Sequence, residues 1–368
     1  MSVNATGCAR GKGNVIAAQA EPWPVYLGLA SRGPSALESL AAEPRLIWRT
    51  QVGRAVPGGV AITERLVVAG TSDRRLAVLD RRTGEVLWNQ KMSGSVASTP
   101  LVVGRTLYVG TEPPKGRVEA YDLTTRKRRW QVDVAEVSSH LALFDDLLLV
   151  PQPGRITALD TATGEPRWST EVAGVPRAAP SVLARHIFVS THVDSAFLLA
   201  RSTGAIVDRL PLVGAVTGAP AVFGPSSAGT LGLVAATTTG RVYAWQELPD
   251  SLAPLWELDV AAPVVGSVVV ARDTAFLVTR PGTLWRIPLH QPDLAVTIEV
   301  GAAIVAPPTP LANGLVLATL SGEILFLERG SATPRTLARV DAPATEPPLV
   351  KGGDLVVVGG RGHILLYR

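Results

Sequence analysis

The side chains that carry most enzyme chemistry are sparse in this chain of 368 residues, and they do not gather. There are five histidines (His140, His186, His192, His290 and His363) and a single cysteine, Cys8. A general base or a metal site needs such groups held together with a carboxylate or a further ligand. Here the histidines are scattered, none before residue 140 and never more than two in a stretch of about forty residues. His186 and His192 fall in one hairpin and are expected to face each other, a pair without a carboxylate. Asp145 and Asp146 sit between two short apolar runs and read as turn chemistry. One cysteine permits neither an intramolecular disulfide nor a Cys-x-x-Cys zinc site. No Gly-x-Ser-x-Gly elbow and no Gly-x-x-x-x-Gly-Lys phosphate loop occurs. No catalytic, cofactor-binding or metal-binding residue is assigned. The expectation is a protein that is not an enzyme and holds no cofactor.

Bulk properties narrow the classes further. The chain carries 35 Lys and Arg against 31 Asp and Glu, a net charge of +4. That is too little for a nucleic-acid binder. The densest basic run, Arg126-Lys127-Arg128-Arg129, reads as a solvated turn. No apolar run approaches the ~18–20 residues that span a bilayer. The longest, Val260 to Ala271, contains Pro263 and Gly266 and reads as a buried strand with its turn.

The elements that hold these residues follow from a repeat. Eight tryptophans outnumber five tyrosines and six phenylalanines. The segment from Leu79-Asp80 through Thr83-Gly84 to Trp88 recurs from Leu159-Asp160 through Thr163-Gly164 to Trp168. Weaker copies run from Tyr121-Asp122 to Trp130 and from Leu199 to Asp208. Trp48, Trp88, Trp130, Trp168 and Trp256 share one register, and Asp208, Val296 and Thr336 fill it elsewhere. The steps are 40, 42, 38, 40, 48, 40 and 40 residues. Four residues past each position stands an apolar side chain: Val52, Met92, Val134, Val172, Leu212, Val260, Val300 and Val340. Phe223 to Thr230 or Leu248 to Leu255 accounts for the one long step.

Each unit reads as four short strands broken by turns, and helical periodicity is absent from residue 45 onward. Such a sheet cannot bury both faces alone, so the units must stack. The expected fold is all-β: an eight-bladed β-propeller of four-stranded antiparallel blades. Inner strands are expected near Val60, Thr99, His140, Pro180, Pro220, Ser267, Pro310 and Pro348. The last unit reaches only a third strand, Leu365 to Arg368. The Trp48 strand, which has no partner in its own unit, is expected to pair with it and close the ring. Residues 1–44 read as an N-terminal leader or tether, with one short helix over Ser35 to Ala42, and 45–368 as the propeller.

The Asp-x-x-Thr-Gly-x-x-x-Trp pattern, the Tyr108-Val109-Gly110-Thr111 strand and the lead-in Trp23-Pro24-Val25-Tyr26-Leu27-Gly28 resemble the pyrroloquinoline-quinone-like (BamB-type) β-propeller repeat family. The resemblance runs over roughly residues 22 to 368. It implies that Trp48, Trp88, Trp130, Trp168 and Trp256 are blade-docking residues. The family holds both quinoprotein dehydrogenases and non-catalytic scaffolds. Dehydrogenases of the family place a vicinal cysteine pair against a quinone, with a hard cation and a carboxylate base at the mouth of the ring, and this chain has no such pair.

The resemblance therefore implies the scaffold branch: a periplasmic, membrane-associated protein of a Gram-negative type bacterium that binds subunits of a membrane protein complex through loops and blade edges. The outer-membrane β-barrel assembly propeller lipoprotein is the type. An extrinsic subunit on the periplasmic face of an electron-transfer or photosynthetic complex is the alternative, and a quinoprotein dehydrogenase is disfavoured. Loops between second and third strands are the expected contact surface, with Arg74, Arg75, Lys115, Arg177, His192 and Asp194 as candidates. Ala5-Thr6-Gly7-Cys8 resembles a lipobox, so Cys8 is a lipidation candidate or an ordinary tail cysteine. The membrane is reached only through that anchor or through the partner.

Overall fold

The computed structural model describes residues 20–23, 25–28, 36–41, 43–224, 230–280 and 282–368. Cys8 and the side chain of Trp23 lie outside the described residues.

Eight antiparallel sheets follow one another around a central axis. Blade 1 runs Val60–Ile62, Leu66–Gly70, Arg75–Asp80 and Val86–Lys91 from the axis outward. Blades 2 to 7 repeat this order, with inner strands opening at Leu101, Ala142, Ser181, Ala221, Val269 and Thr309. Blade 8 takes its first three strands from Leu349–Lys351, Asp354–Val358 and His363–Tyr367. Its outer strand is Leu46–Gln51, with Trp48 opposite Leu366 and Thr50 opposite Ile364. The expected closure is therefore observed. Every inner strand starts within two residues of its expected place.

The burial pattern explains why each strand forms. Second strands such as Leu66–Gly70 are buried throughout, since a blade lies on either side. Outer strands such as Val86–Lys91 alternate, with one face against the next blade and one in water. The apolar residue four past each tryptophan position has a backbone task as well. In all eight units its N–H donates to the carbonyl of the turn between second and third strands, at 2.8–3.1 Å. That turn carbonyl belongs to Gly362, Gly116, Gly154, Gly240, Gly282 and Gly322 in six blades, and to Arg74 and Asp194 in the others.

Blades are joined in two ways. Around the axis, hydroxyls at the start of inner strands donate to a neighbour's carbonyl. Ser139 reaches Ala178 at 3.0 Å, Ser181 reaches Pro220 at 2.8 Å, and Thr99 reaches Gly58. Farther out, Trp48, Trp130 and Trp168 each cover the next blade's turn between third and outer strands. A Cβ built on Gly84, where φ is +72°, meets the Trp48 ring at 2.5 Å. Gly164 lies under Trp130 and Gly204 under Trp168 in the same way. The glycine is required twice, by its left-handed backbone and by the ring above it. Asp80 Oδ1 accepts the N–H groups of Arg82 and Thr83 at 2.9 and 3.0 Å, which fixes the turn. Trp48 Nε1 then donates to the Arg81 carbonyl at 2.8 Å, so the closing strand also locks blade 8 onto blade 1.

Two expectations are corrected. No helix forms in the described part of 35–42, where residues 36–41 hold a turn and extended chain. Their polar groups are spent on the ring instead. The Glu38 carbonyl accepts Ala312 N–H at 2.7 Å, and Leu40 exchanges bonds with the Asn313 side chain. His186 and His192 do not face each other. His186 Nδ1 contacts Glu247 at 2.9 Å, and His192 Nδ1 accepts Val175 N–H at 2.8 Å. In the long unit, Leu252–Asp259 is an eight-residue outer strand, so the stretch from Leu248 lengthens a hairpin.

Candidate functional site

A propeller binds ligands in its axial channel or on its two loop faces. The inner edge of each inner strand faces the channel, because its other edge is paired within the blade. In blade 2 that edge is occupied: Ala20–Trp23 pairs antiparallel with Leu101–Gly104, Ala20 opposite Gly104 and Trp23 opposite Val102. Val25 bridges to Ala142 of blade 3. The chain then turns tightly, with Gly28 N–H donating to the Val25 carbonyl at 2.8 Å and φ of 60° at Leu27 and 74° at Gly28. Tyr26 stacks on His140, ring centroids 3.9 Å apart, and His140 Nδ1 accepts the Thr99 N–H at 3.0 Å. Leu27 is 5% exposed and joins the apolar cluster of blades 1, 2 and 8. The lead-in is thus an internal part of the ring.

The loops entering the inner strands surround this turn. Of their charged members, Asp341 pairs with Arg49 at 2.8 Å. Arg54 N–H is bound by Asp73, and Arg177 is exposed. Glu346 differs. Its carboxyl lies against Gly59 at the channel mouth, and burial pushes it up to about 8. It is the group in the channel best placed to hold a proton near neutral pH.

The six contact candidates share this face but not one cluster. Arg74 and Arg75 are on blade 1, Lys115 on blade 2, and Arg177, His192 and Asp194 on blade 4. All six are exposed. Three also serve the fold: Arg74 and Asp194 supply the turn carbonyls described above, and His192 fastens its turn to Val175. Arg75 lies 3.5 Å from Asp73.

A quinone with its cation does not fit this channel. Residues 20–23 take the inner edge of blade 2, and Tyr26 and Leu27 fill the space at the mouth, held by hydrogen bonds, stacking and burial. Among the described residues no group of three His, Cys, Asp or Glu is disposed to hold a metal ion.

Sequence reasoning missed two arrangements. One is Glu247, buried between blades 4 and 5, which is 61 residues from the histidine it binds. The other is the face opposite the contact candidates, where turns between inner and second strands and between third and outer strands open together. The run 126–129 belongs to a wider basic sector there. Arg128 pairs with Glu119 at 3.1 Å, while Arg129, with the Thr125 N–H and the more distant Arg105, holds the Asp122 carboxyl well below the usual carboxylate range.

Three comparisons place the chain. A family model described as outer membrane protein assembly factor BamB matches residues 37–179 and 114–207. The solved BamB of Moraxella catarrhalis superposes with a TM-score of 0.72 at 16% identity, over 89% of this chain and 98% of that one. The quinohemoprotein alcohol dehydrogenase of Comamonas testosteroni gives 0.71 at 12% identity, over 94% of this chain and 80% of that one. The curated quinohemoprotein alcohol dehydrogenase ADH IIB of Pseudomonas putida is 35% identical over 92 residues, 23% of this chain. That match spans only 13% of the relative's own length. No helix among the described residues is long and apolar enough to cross a membrane. The repeat, the closed ring and these structural likenesses show an eight-bladed β-propeller, and residues 37–207 match the repeat model described as BamB.

Proposed function

We propose that the chain is a non-catalytic scaffold that works in the periplasm, bound to a membrane protein complex, as the BamB-type likeness would have it. The observation that carries this reading is the filled channel. The chain's own residues 20–23 and 25–28 take the place where a ring of this kind would otherwise admit a ligand. Loop faces and outer strands remain for binding, and a rigid ring with exposed loops is what a scaffold needs. Arg74, Arg75, Lys115, Arg177, His192 and Asp194 are the proposed contacts on one face. Residues 1–44 form the leader in this reading, with Cys8 as the point of lipid attachment.

Cross-linking in native membranes, followed by mass spectrometry, tests the proposal. Stable capture of membrane-complex subunits, lost when Arg74, Lys115 and Arg177 are reversed in charge, is expected. Quinone absorbance in the purified chain, together with dye-linked alcohol oxidation, would overturn it.

A further inference from the structure

One face of the ring carries a charge excess that the contacts proposed above do not use. Arg81 N–H donates to the Arg65 carbonyl at 2.9 Å, and Leu123 N–H to the Arg105 carbonyl at 2.8 Å, so both sets of turns lie level there. On blades 8, 1 and 2 these turns comprise residues 43–45, 64–65, 80–85, 105, 122–129, 351–354 and 368. They hold eleven Lys and Arg against six Asp and Glu. That excess is larger than the +4 of the whole chain, so the rest of the molecule is close to neutral.

The structure sharpens the imbalance. Asp354 is 1% exposed and gripped by Arg368 at 2.7 and 3.1 Å, with Arg81 beside it. Asp122 is held by Arg105 and Arg129, and Asp80 by its own turn. Arg45, Arg65, Arg82 and Lys127 are exposed and have no carboxylate in ion-pair range among the described residues.

Apolar side chains stand beside these cations. Leu37 is 85% exposed, Leu46 51% and Ile47 46%. Leu37 is held at this face by Glu38, whose carboxylate accepts Gly352 N–H at 2.9 Å and whose carbonyl accepts Ala312 N–H. Leu46 and Ile47 follow Arg45 at the start of the closing strand. The polypeptide also enters the ring here, since Ala20 lies opposite Gly104 in a turn of the same sector.

We propose that this face docks on an anionic phospholipid surface, with the turns of blades 8, 1 and 2 against the headgroups and Leu37, Leu46 and Ile47 in the interface. Unpaired cations on level turn tips, interleaved with exposed leucines, suit a flat headgroup layer better than the pockets of an acidic protein. The proposal deepens the scaffold reading and rests on it for the membrane's proximity. It orients the ring, so that the face bearing Arg74, Lys115 and Arg177 points away from the bilayer toward a partner.

The test uses the full chain carrying Cys8→Ser, so that no acyl chain contributes. It is sedimented with vesicles of phosphatidylcholine alone or with ~30% phosphatidylglycerol. Binding to the anionic vesicles alone is expected, weakened about tenfold by 0.5 M salt. Combining Arg65→Glu, Arg82→Glu and Lys127→Glu is expected to weaken it a further tenfold or so with the melting temperature unchanged. Leu37→Asp is expected to weaken it at all salt concentrations. Arg74→Glu with Lys115→Glu, on the other face, is expected to leave it unchanged. Equal binding to neutral vesicles, no binding to either, or equal loss in the other-face control overturns the proposal. So does capture by polyglutamate without vesicle binding, which assigns the patch to an acidic protein. No protein partner is present in this assay, so its failure leaves the cross-linking result standing, and the reverse holds.

Discussion

Replacing Glu247 with alanine tests whether neighbouring blades are held by buried polar groups as well as by apolar packing. Glu247 ends the third strand of blade 5 and is 4% exposed. Its carboxylate accepts the N–H groups of Ala184, Arg185 and His186 at 3.0, 2.8 and 3.1 Å, all from the inner turn of blade 4. It also contacts His186 Nδ1 at 2.9 Å, and since a carboxylate only accepts, that nitrogen carries the proton. Alanine strips one acceptor from four donors. Each donor left dry costs about 1–3 kcal/mol, and the exposed edge of the turn lets water reach Arg185. The expected loss is ~3–5 kcal/mol, a fifth or more of a typical domain's ~5–15 kcal/mol. Urea denaturation and hydrogen exchange at amides 184–186 are the assays. Glu247→Gln keeps one accepting oxygen and is expected to lose about half as much. An alanine variant within about 1 kcal/mol of the parent, with unchanged exchange at those amides, refutes the reasoning.

Deleting residues 45–52 removes the outer strand of blade 8 and the Trp48 lock on blade 1, and gross destabilisation is expected. A thermal melt matching the full chain would contradict ring closure by this strand. Trp130 Nε1 donates to the Thr161 carbonyl at 2.9 Å, whereas Trp168 Nε1 is buried with no acceptor among the described residues. Trp130→Phe is therefore expected to cost ~1–2 kcal/mol more than Trp168→Phe, measured as paired melts. Glu346 binds a proton in the folded chain up to about pH 8, while the unfolded chain releases it near its ordinary value of 4.5. Its folded state therefore loses stability as pH rises through that window and levels off above it. Glu346→Gln is expected to match the parent near pH 4.5 and exceed it by ~1–3 kcal/mol above pH 8, and parallel pH–stability curves would count against a buried carboxyl.

The parts of the fold that were legible in the sequence share a physical origin. The Asp-x-x-Thr-Gly turn and the tryptophan answer a local demand that several blades repeat, and the apolar residue four further on answers one that all eight make. Asp80 must satisfy its turn amides, Gly84 must lie flat beneath Trp48, and Met92 must cap the Arg74 carbonyl. Repetition multiplies such signals until spacing alone reveals them, and ring closure follows by counting strands. Glu247 meeting blade 4 is the opposite case. It happens once, between residues 61 apart, and no period points to it. The same holds for the basic sector. Arg65, Arg82 and Lys127 are ordinary turn residues in sequence, and only the stacking of blades brings them to one face with the exposed Leu37 and Leu46.

That contrast bears on where function resides in a ring of this kind. A feature present in all eight blades is accounted for by the need to build blades. What remains to be explained is what only some blades carry. The leader strand lies on blade 2 alone, the Tyr26–His140 stack on blade 3 alone, and Glu346 at the mouth of blade 8 alone. The tight turn at residues 25–28 bridges to Ala142, and the Tyr26–His140 stack and the burial of Leu27 add to its hold. Val25 and Leu27 carry the apolar core of the blades into the channel mouth. Under the scaffold proposal, binding falls to the two loop faces, one of which carries the basic turns of blades 8, 1 and 2.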